Sequence, residues 1–292
     1  VEIEDIKLIP KKTILIGKFK AKPDSERLIH LKYSEAQVFS LDLLPRSSIA
    51  QSMDVLSSLA SLSGYKAVVT AANEFPGYLP MMTTSAGTIP PAKVLILGAG
   101  VAGLQAIAAA KRLGAVVNAF DVRASVKEEV ESLGARFIEV AGNYDDKSAG
   151  GYAVKQSDDY IRKQKELIHE IAIKADIIIT TANIPGRQAP VLIEKKTLNE
   201  MKSGSIIVDM ATASGGNCEL SIDNKKVIVH DIVIIGDSIL YNKMGKQASL
   251  LYSNNIYNFL KYILKDGIEN IPYDSDIVSK TLLKQELTQV LN

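Results

Sequence analysis

Apolar and polar positions alternate along this chain in two registers, one of period two and one near 3.6. The runs TILIGKF from Thr13 and AQVFSLDLL from Ala36 have strand character, and the polar stretch between them, about Ser25 to Glu35, has helical character. Together they predict a β-α-β segment. Residues 1–45 are too few for a domain and are expected to be the tail of one whose earlier strands are missing. In QSMDVLSSLASLSG, Met53, Leu56, Leu59 and Ala60 recur at helical spacing and Gly64 suits a helix stop, so residues 46–63 are expected to form a linking helix. From Lys93 the alternation becomes regular. It predicts strand Val94–Leu97, helix Val101–Leu113, strand Val116–Phe120, helix Ser125–Leu133 and strand Arg136–Val140. GNYDDKSAGGYAVKQ is then glycine-rich, polar and acidic, the chemistry of a long exposed loop able to serve as a lid. Beyond it come a helix over about Asp158–Ile173, strand Asp176–Thr181, helix Glu194–Met201, strand Ser205–Met210 and the pair VIVH and VIIG.

Alternation of this kind implies an α/β fold, a Rossmann-type doubly wound parallel sheet with helices on both faces, here over residues 64–245. The amphipathic helix from Gly245 to about Leu264 is expected to return the chain to an incomplete flanking α/β domain made of residues 1–45 and 246–292. Composition narrows the function classes. With 34 basic against 33 acidic residues, the balance argues against a broad basic surface for nucleic acid or an anionic membrane, though not against a local patch. The single cysteine, Cys218, excludes an intrachain disulfide and a cysteine metal cluster, and no metal site is expected. The opening VEIEDIKLIP has neither an initiator Met nor the shape of a signal peptide, and reads as a cut from a longer polypeptide. The longest apolar run, Val94 to Ala110, is interrupted by three glycines and Gln105, so it reads as strand, turn and helix and not as a membrane span.

Gly98-Ala99-Gly100-Val101-Ala102-Gly103 is a G-x-G-x-x-G sequence set between an apolar strand and an alanine-rich helix. Gly98 allows the tight turn, Gly100 lets a pyrophosphate approach the backbone, and Gly103 lets the helix pack on the strand. The helix N-terminus offers N–H groups to phosphate. Asp121 ends the next strand, eighteen residues after Gly103, where it can accept hydrogen bonds from both adenosine ribose hydroxyls and would repel a 2′-phosphate. NAD is therefore favoured over NADP, although Arg123 nearby could tolerate a 2′-phosphate. Oxidation of an alcohol or amino acid also moves a proton and needs a titratable group at the reacting carbon. His30, His169 and His230 all lie outside the loops at the carboxyl ends of the expected sheet strands. Hydride transfer between two nicotinamides needs no such group, only apposition.

The segments PRSSIAQSMDVLSS, AGTIPPAKVLILGAGVAGLQAIAAAKRLGAVV, AFDVR, GGYA, TTANIPGR, SIIVDMATASGGNCE and QASLLY, dense and in order from Thr13 to Leu264, resemble the NAD(H)-binding component, domain I, of proton-translocating NAD(P) transhydrogenase. The resemblance implies an NAD(P)+ transhydrogenase, Re/Si-specific, in which this chain presents NADH for direct hydride transfer to NADP+. Gly98, Gly100, Val101 and Gly103 would meet the pyrophosphate, and Asp121, Val122 and Arg123 the adenosine ribose. Gln51, Asp54 and Ser57, three apart on one helix face, would hold the nicotinamide and its ribose, with Arg46 guarding that site. Gly151 and Tyr152 would belong to the mobile loop, and Gln164, Ala182 and Asn183 would complete the pocket. Implied partners are an NADP(H)-binding domain, a membrane proton-channel domain and a second copy in a homodimer. The implied place is peripheral to an energy-transducing membrane such as the inner mitochondrial membrane, on its matrix side. Ile49, Gln156, Asn183 and Lys243 depart from the family pattern, standing for an arginine, a methionine, a leucine and an arginine. The rival readings are an alanine dehydrogenase-like oxidoreductase, whose family shares the fold, and a non-catalytic NAD-sensing module.

Overall fold

The computed structural model of the protein describes residues 3–10, 12–19, 26–33, 36–140, 158–183 and 187–283. In chain order the elements are α1 (Ile3–Ile6), β1 (Ile14–Gly17), α2 (Glu26–Tyr33), β2 (Gln37–Ser40), α3 (Val55–Glu74), β3 (Met82–Thr84), β4 (Gly87–Ile89), β5 (Lys93–Leu97), α4 (Val101–Arg112) and β6 (Val116–Phe120). They continue with α5 (Lys127–Ser132), β7 (Arg136–Ile138), α6 (Asp158–Ala172), β8 (Ile177–Thr180), α7 (Lys195–Glu200), β9 (Ile206–Asp209), β10 (Lys225–Val229), β11 (Ile232–Gly236), α8 (Gly245–Ile263) and α9 (Asp276–Thr281). The chain divides into two compact units, Val1–Leu59 with Lys246–Asn292, and Ala60–Gly245.

In the larger unit the sheet runs in the order β10-β11-β9-β8-β5-β6-β7. All its pairs are parallel except β10 with β11. With β5 as the first strand this is the doubly wound dinucleotide-binding order with an antiparallel strand added at one edge. The strands read as continuous apolar runs because both faces are covered. Val94 and Ile96 of β5 join one core with Ala67, Val68 and Ala71 of α3 and Ala106 and Ile107 of α4. The alternate residues Leu95 and Leu97 join a second core with Ile168 of α6 and Leu198 of α7. Reversal of the chain between β5 and β8 opens a crevice at their carboxyl ends, where ligands of such sheets bind.

In the smaller unit β1 and β2 pair in parallel, and the Phe39 and Phe259 rings pack at a tilt of 59° with centroids 5.6 Å apart. Met53, Val55, Ile263, Ile277 and Val278 complete that core.

The linking helix departs from the sequence expectation. Residues 46–63 do not form one helix: Ala50–Met53 is a single 3-10 turn, Asp54 is extended, and α3 starts at Val55. Asp54 causes the break. Its Oδ1 accepts hydrogen bonds from the backbone N–H groups of Leu56 (2.9 Å) and Ser57 (3.0 Å), which leaves it the N-cap of α3. Asp54→Ala is expected to cost about 1 kcal/mol of stability, read as a lower urea midpoint with unchanged slope. Gly64 is not a stop either, since α3 runs ten residues past it to Glu74. A Cβ there would lie 2.1 Å from the Ala102 carbonyl oxygen, so the glycine lets α3 and α4 meet backbone to backbone. Leu56, expected on the buried stripe, is 40% exposed, whereas Met53 and Leu59 are buried. The α5 helix is also shorter than expected, with Ala124–Val126 forming a 3-10 turn before it.

Among the described residues, α3 is the helix long and apolar enough to match a membrane span. Its Ala67, Val68 and Ala71 are buried in the core of the larger unit. The sequence reading missed the exposed β3–β4 hairpin, whose residues between the apolar ends are Thr, Ser, Ala and Gly.

Candidate functional site

The loop after β5 is tied on both sides. Gly98 N–H donates to the Phe120 carbonyl at 2.8 Å, and the Thr181 hydroxyl donates to the Gly98 carbonyl at 3.0 Å. Gly98 has φ +101°, and a Cβ there would lie 2.6 Å from Thr181 Oγ1. Gly103 is more constrained, since a Cβ would lie 1.8 Å from the Gly98 carbonyl oxygen. Gly100 is the N-cap of α4 with φ −78° and ψ −169°, and a Cβ there would meet nothing within 4 Å. Two of the three glycines are thus demanded by the protein's own packing. The third is not, and it lies exposed beside the exposed Val101 at the first turn of α4.

Asp121 follows β6, one residue beyond the strand end at Phe120. Its Oδ2 accepts from Ala99 N–H inside the glycine loop at 2.7 Å and from Arg123 Nη2 at 3.0 Å. Its Oδ1 accepts from Arg123 N–H and Arg123 Nε, both at 2.9 Å. The structure therefore joins Gly98, Gly100, Val101, Gly103, Asp121 and Arg123 at the carboxyl end of β5 and β6. Val122 packs partly against the second core.

Two further aspartates sit at the carboxyl ends of neighbouring strands. Asp209 closes β9 fully buried, yet no cation pairs with it among the described residues. Instead Oδ1 accepts from Thr180 Oγ1 (2.9 Å) and Ala211 N–H (3.0 Å), while Oδ2 accepts from Asn217 N–H (2.8 Å), Cys218 N–H (3.0 Å) and Ser221 Oγ (2.6 Å). Five donors folded around one carboxylate give the loop after β9 its shape. Asn217 Nδ2 extends that loop to the carbonyls of Ala182 and Pro190, each at 2.8 Å. Asp237 follows β11 and pairs with Lys243 Nζ at 2.7 Å, the lysine where the resembling family has an arginine. Sequence reasoning missed Asp209, Asn217 and Thr181. The rule that found Asp121, a carboxylate closing an apolar strand, also fits Asp209.

Gln164 is buried on α6, Ala182 is half-buried after β8, and Asn183 is exposed. Gly151 and Tyr152, with the expected lid and Gln156, lie outside the described residues. The smaller unit holds Arg46, Gln51, Asp54 and Ser57. Arg46 and Gln51 are exposed, and Ser57 Oγ donates to Asp54 Oδ2 at 2.5 Å. Gln51, Asp54 and Ser57 do not share one helix face, because they fall in a 3-10 turn, an extended cap and the first turn of α3.

Burial, with the neighbouring Asp209 carboxylate, pushes the Cys218 thiol up to about 12. It stays protonated at neutral pH. Iodoacetamide at pH 8 is expected to leave Cys218 unmodified in the folded protein and to label it rapidly in urea; fast labelling of the native chain would contradict the burial. Neither histidine of the larger unit, His169 or His230, lies at the carboxyl ends of its parallel strands. His169 Nδ1 lies 3.0 Å from Thr197 Oγ1, near the end of α6 that leads into β8. His230 occupies the β10–β11 turn with φ +49°, ahead of β11. His30 sits on α2, 3.9 Å from Glu26.

Residues 67–290 match the family model described as alanine dehydrogenase/PNT, C-terminal domain. The chain belongs to this family. Within it, the chain is 46% identical over 266 residues to an NAD(P) transhydrogenase subunit alpha polypeptide of Rhodospirillum rubrum, covering 88% of this chain and 67% of that relative. The solved transhydrogenase of Sinorhizobium meliloti superposes with a TM-score of 0.86 at 40% identity, over 97% of this chain and 77% of that one. An L-alanine dehydrogenase structure superposes with a TM-score of 0.74 at 22% identity, over 96% of this chain and 73% of that one. That last likeness establishes a shared fold. The Rossmann-type α/β architecture expected from the sequence is borne out by these matches and by the sheet order.

Proposed function

We propose that this chain is the NAD(H)-binding component of a proton-translocating, Re/Si-specific NAD(P) transhydrogenase, presenting NADH for direct hydride transfer to NADP+ on a separate domain. The observation that carries the reading is the selective openness of the glycine loop. Packing accounts for Gly98 and Gly103, while Gly100 is left with room on the side where a pyrophosphate would approach N–H groups at the start of α4. Asp121, joined to the same loop through Ala99, stands where an adenosine ribose would follow.

Bound NADH would supply the hydride from its ring. The chain's own residues bind and orient. Gly100 and Val101 admit the pyrophosphate, and Asp121 with Arg123 marks the ribose end of the site. The loop after β9 is shaped by Asp209 and is hydrogen-bonded through Asn217 to Ala182, just beyond β8. No proton donor is required of this chain at the reacting carbons, because hydride transfer between two nicotinamides moves no proton. Arg46, Gln51, Asp54 and Ser57 are assigned to the nicotinamide, and Gly151, Tyr152, Gln164, Val122, Ala182 and Asn183 to the rest of the site, on the family resemblance. The same resemblance supports an NADP(H)-binding partner domain, a membrane proton-channel domain, a homodimer and a place peripheral to an energy-transducing membrane.

The test mixes the purified chain with the NADP(H)-binding component of a relative, NADH and an oxidised NADP analogue whose reduction is read optically. Reduction that depends on both proteins is expected. NADH binding without analogue reduction would defeat the transhydrogenase reading and favour a sensing module. NADH formation from alanine and NAD+ would favour the dehydrogenase instead.

A further inference from the structure

Asp121 has no acceptor capacity left for a ribose. A carboxylate offers about four in-plane lone-pair positions. Two are taken by backbone, Ala99 N–H at 2.7 Å and Arg123 N–H at 2.9 Å, and these hold the carboxylate at the rim of the glycine loop. The other two are taken by the Arg123 side chain, Nε at 2.9 Å on Oδ1 and Nη2 at 3.0 Å on Oδ2. The pair is well shielded, with side-chain exposures of 22% for Arg123 and 8% for Asp121.

On this basis, and resting on the nucleotide-binding reading above, we propose that Arg123 is a specificity-determining residue acting as an intramolecular competitor: its guanidinium occupies the sites that ribose hydroxyls must take. A 2′,3′-diol reaches Asp121 only by displacing a bidentate, charge-assisted contact with two neutral hydroxyl donors. The exchange is unfavourable in bond strength. It weakens binding of the adenosine half without changing where that half docks.

The same residue narrows discrimination against a 2′-phosphate. A lone carboxylate at this position repels the phosphate, but here the ribose end carries a carboxylate and a guanidinium together and its net charge is zero. The displaced guanidinium stays tethered, because Arg123 N–H remains bonded to Asp121 Oδ1. From there its planar fork suits phosphate oxygens, which a diol cannot use. Removing Arg123 should therefore act in opposite directions on the two ribose types, which no merely structural role would do.

The experiment titrates the full chain calorimetrically with 5′-AMP and with adenosine 2′,5′-bisphosphate, for the native protein and for Arg123→Ala, Arg123→Gln and Arg123→Lys. Thermal melts confirm that each variant folds, and the uncharged glutamine, which keeps the aliphatic stem, serves where alanine does not fold. For Ala and Gln we expect 5′-AMP to bind about tenfold tighter and the bisphosphate about tenfold weaker, a charged hydrogen-bonded contact being exchanged in each case. Arg123→Lys keeps the charge without the fork and should fall between. Weaker binding of both ligands would make Arg123 an ordinary attractive contact and overturn the proposal, as would no change in either. If the native chain binds neither ligand, the nucleotide reading itself falls, and the competitor with it.

Discussion

Gly103→Ala is expected to lose about 3 kcal/mol or more of stability and with it NADH binding, while Gly100→Ala keeps its stability and loses only the nucleotide. The asymmetry follows from where each Cβ would go. At Gly103 it would stand 1.8 Å from the Gly98 carbonyl oxygen and 2.8 Å from the carbonyl carbon, both backbone atoms of a loop tied to Phe120 and Thr181. Nothing flexible can yield, so α4 must lift off β5, disturbing the core built on Ala106 and Ile107. In urea this corresponds to a midpoint lowered by roughly 1–2 M. At Gly100 the Cβ meets no protein atom, so a loss of affinity there reports obstruction of a ligand. Equal midpoints for Gly103→Ala and the native chain would show that the helix does not rest on the loop. Unchanged NADH affinity in Gly100→Ala would remove the pyrophosphate from this place.

Asp209→Ala should be comparably severe. Its carboxylate gathers Thr180 Oγ1, Ser221 Oγ and the N–H groups of Ala211, Asn217 and Cys218, all within 3.0 Å. Removing the acceptor strands several donors in a buried place, an expected loss of about 3–5 kcal/mol. Asp209→Asn tests the account more sharply because it preserves shape. Its amide brings a donor into a ring of donors, so it should lose most of the same stability. Melting temperatures measured beside near-ultraviolet circular dichroism would decide it, and a native-like melt for the alanine variant would exclude the hub role. The loop after β9 also holds Ala182 through Asn217, so milder substitutions should weaken NADH binding before they unfold the chain.

Much of this protein could be read without coordinates, for local reasons. The continuous apolar runs of β5, β8 and β9, each followed or preceded by a helical period, determine a two-sided parallel sheet because such strands have no face to offer water. The glycine spacing and the aspartate after β6 determine a nucleotide-type turn, since each residue's role depends on neighbours a few positions away. Asp54 and Gly64 mark where that reading stops. Spacing places Asp54 on one helix face with Gln51 and Ser57, and Gly64 at a helix end. Yet Asp54 spends its side chain capping α3, and Gly64 sits within α3 because Ala102, 38 positions along, needs the space.

Only the tertiary structure decided that the carboxylate of Asp121 is shared with Arg123, that Asp209 orders the loop after β9, and that Gly100 alone of the three glycines is not required by packing. Periodicity and propensity are properties of neighbouring residues. Hydrogen-bond saturation and steric room depend on atoms that the chain brings together from far apart.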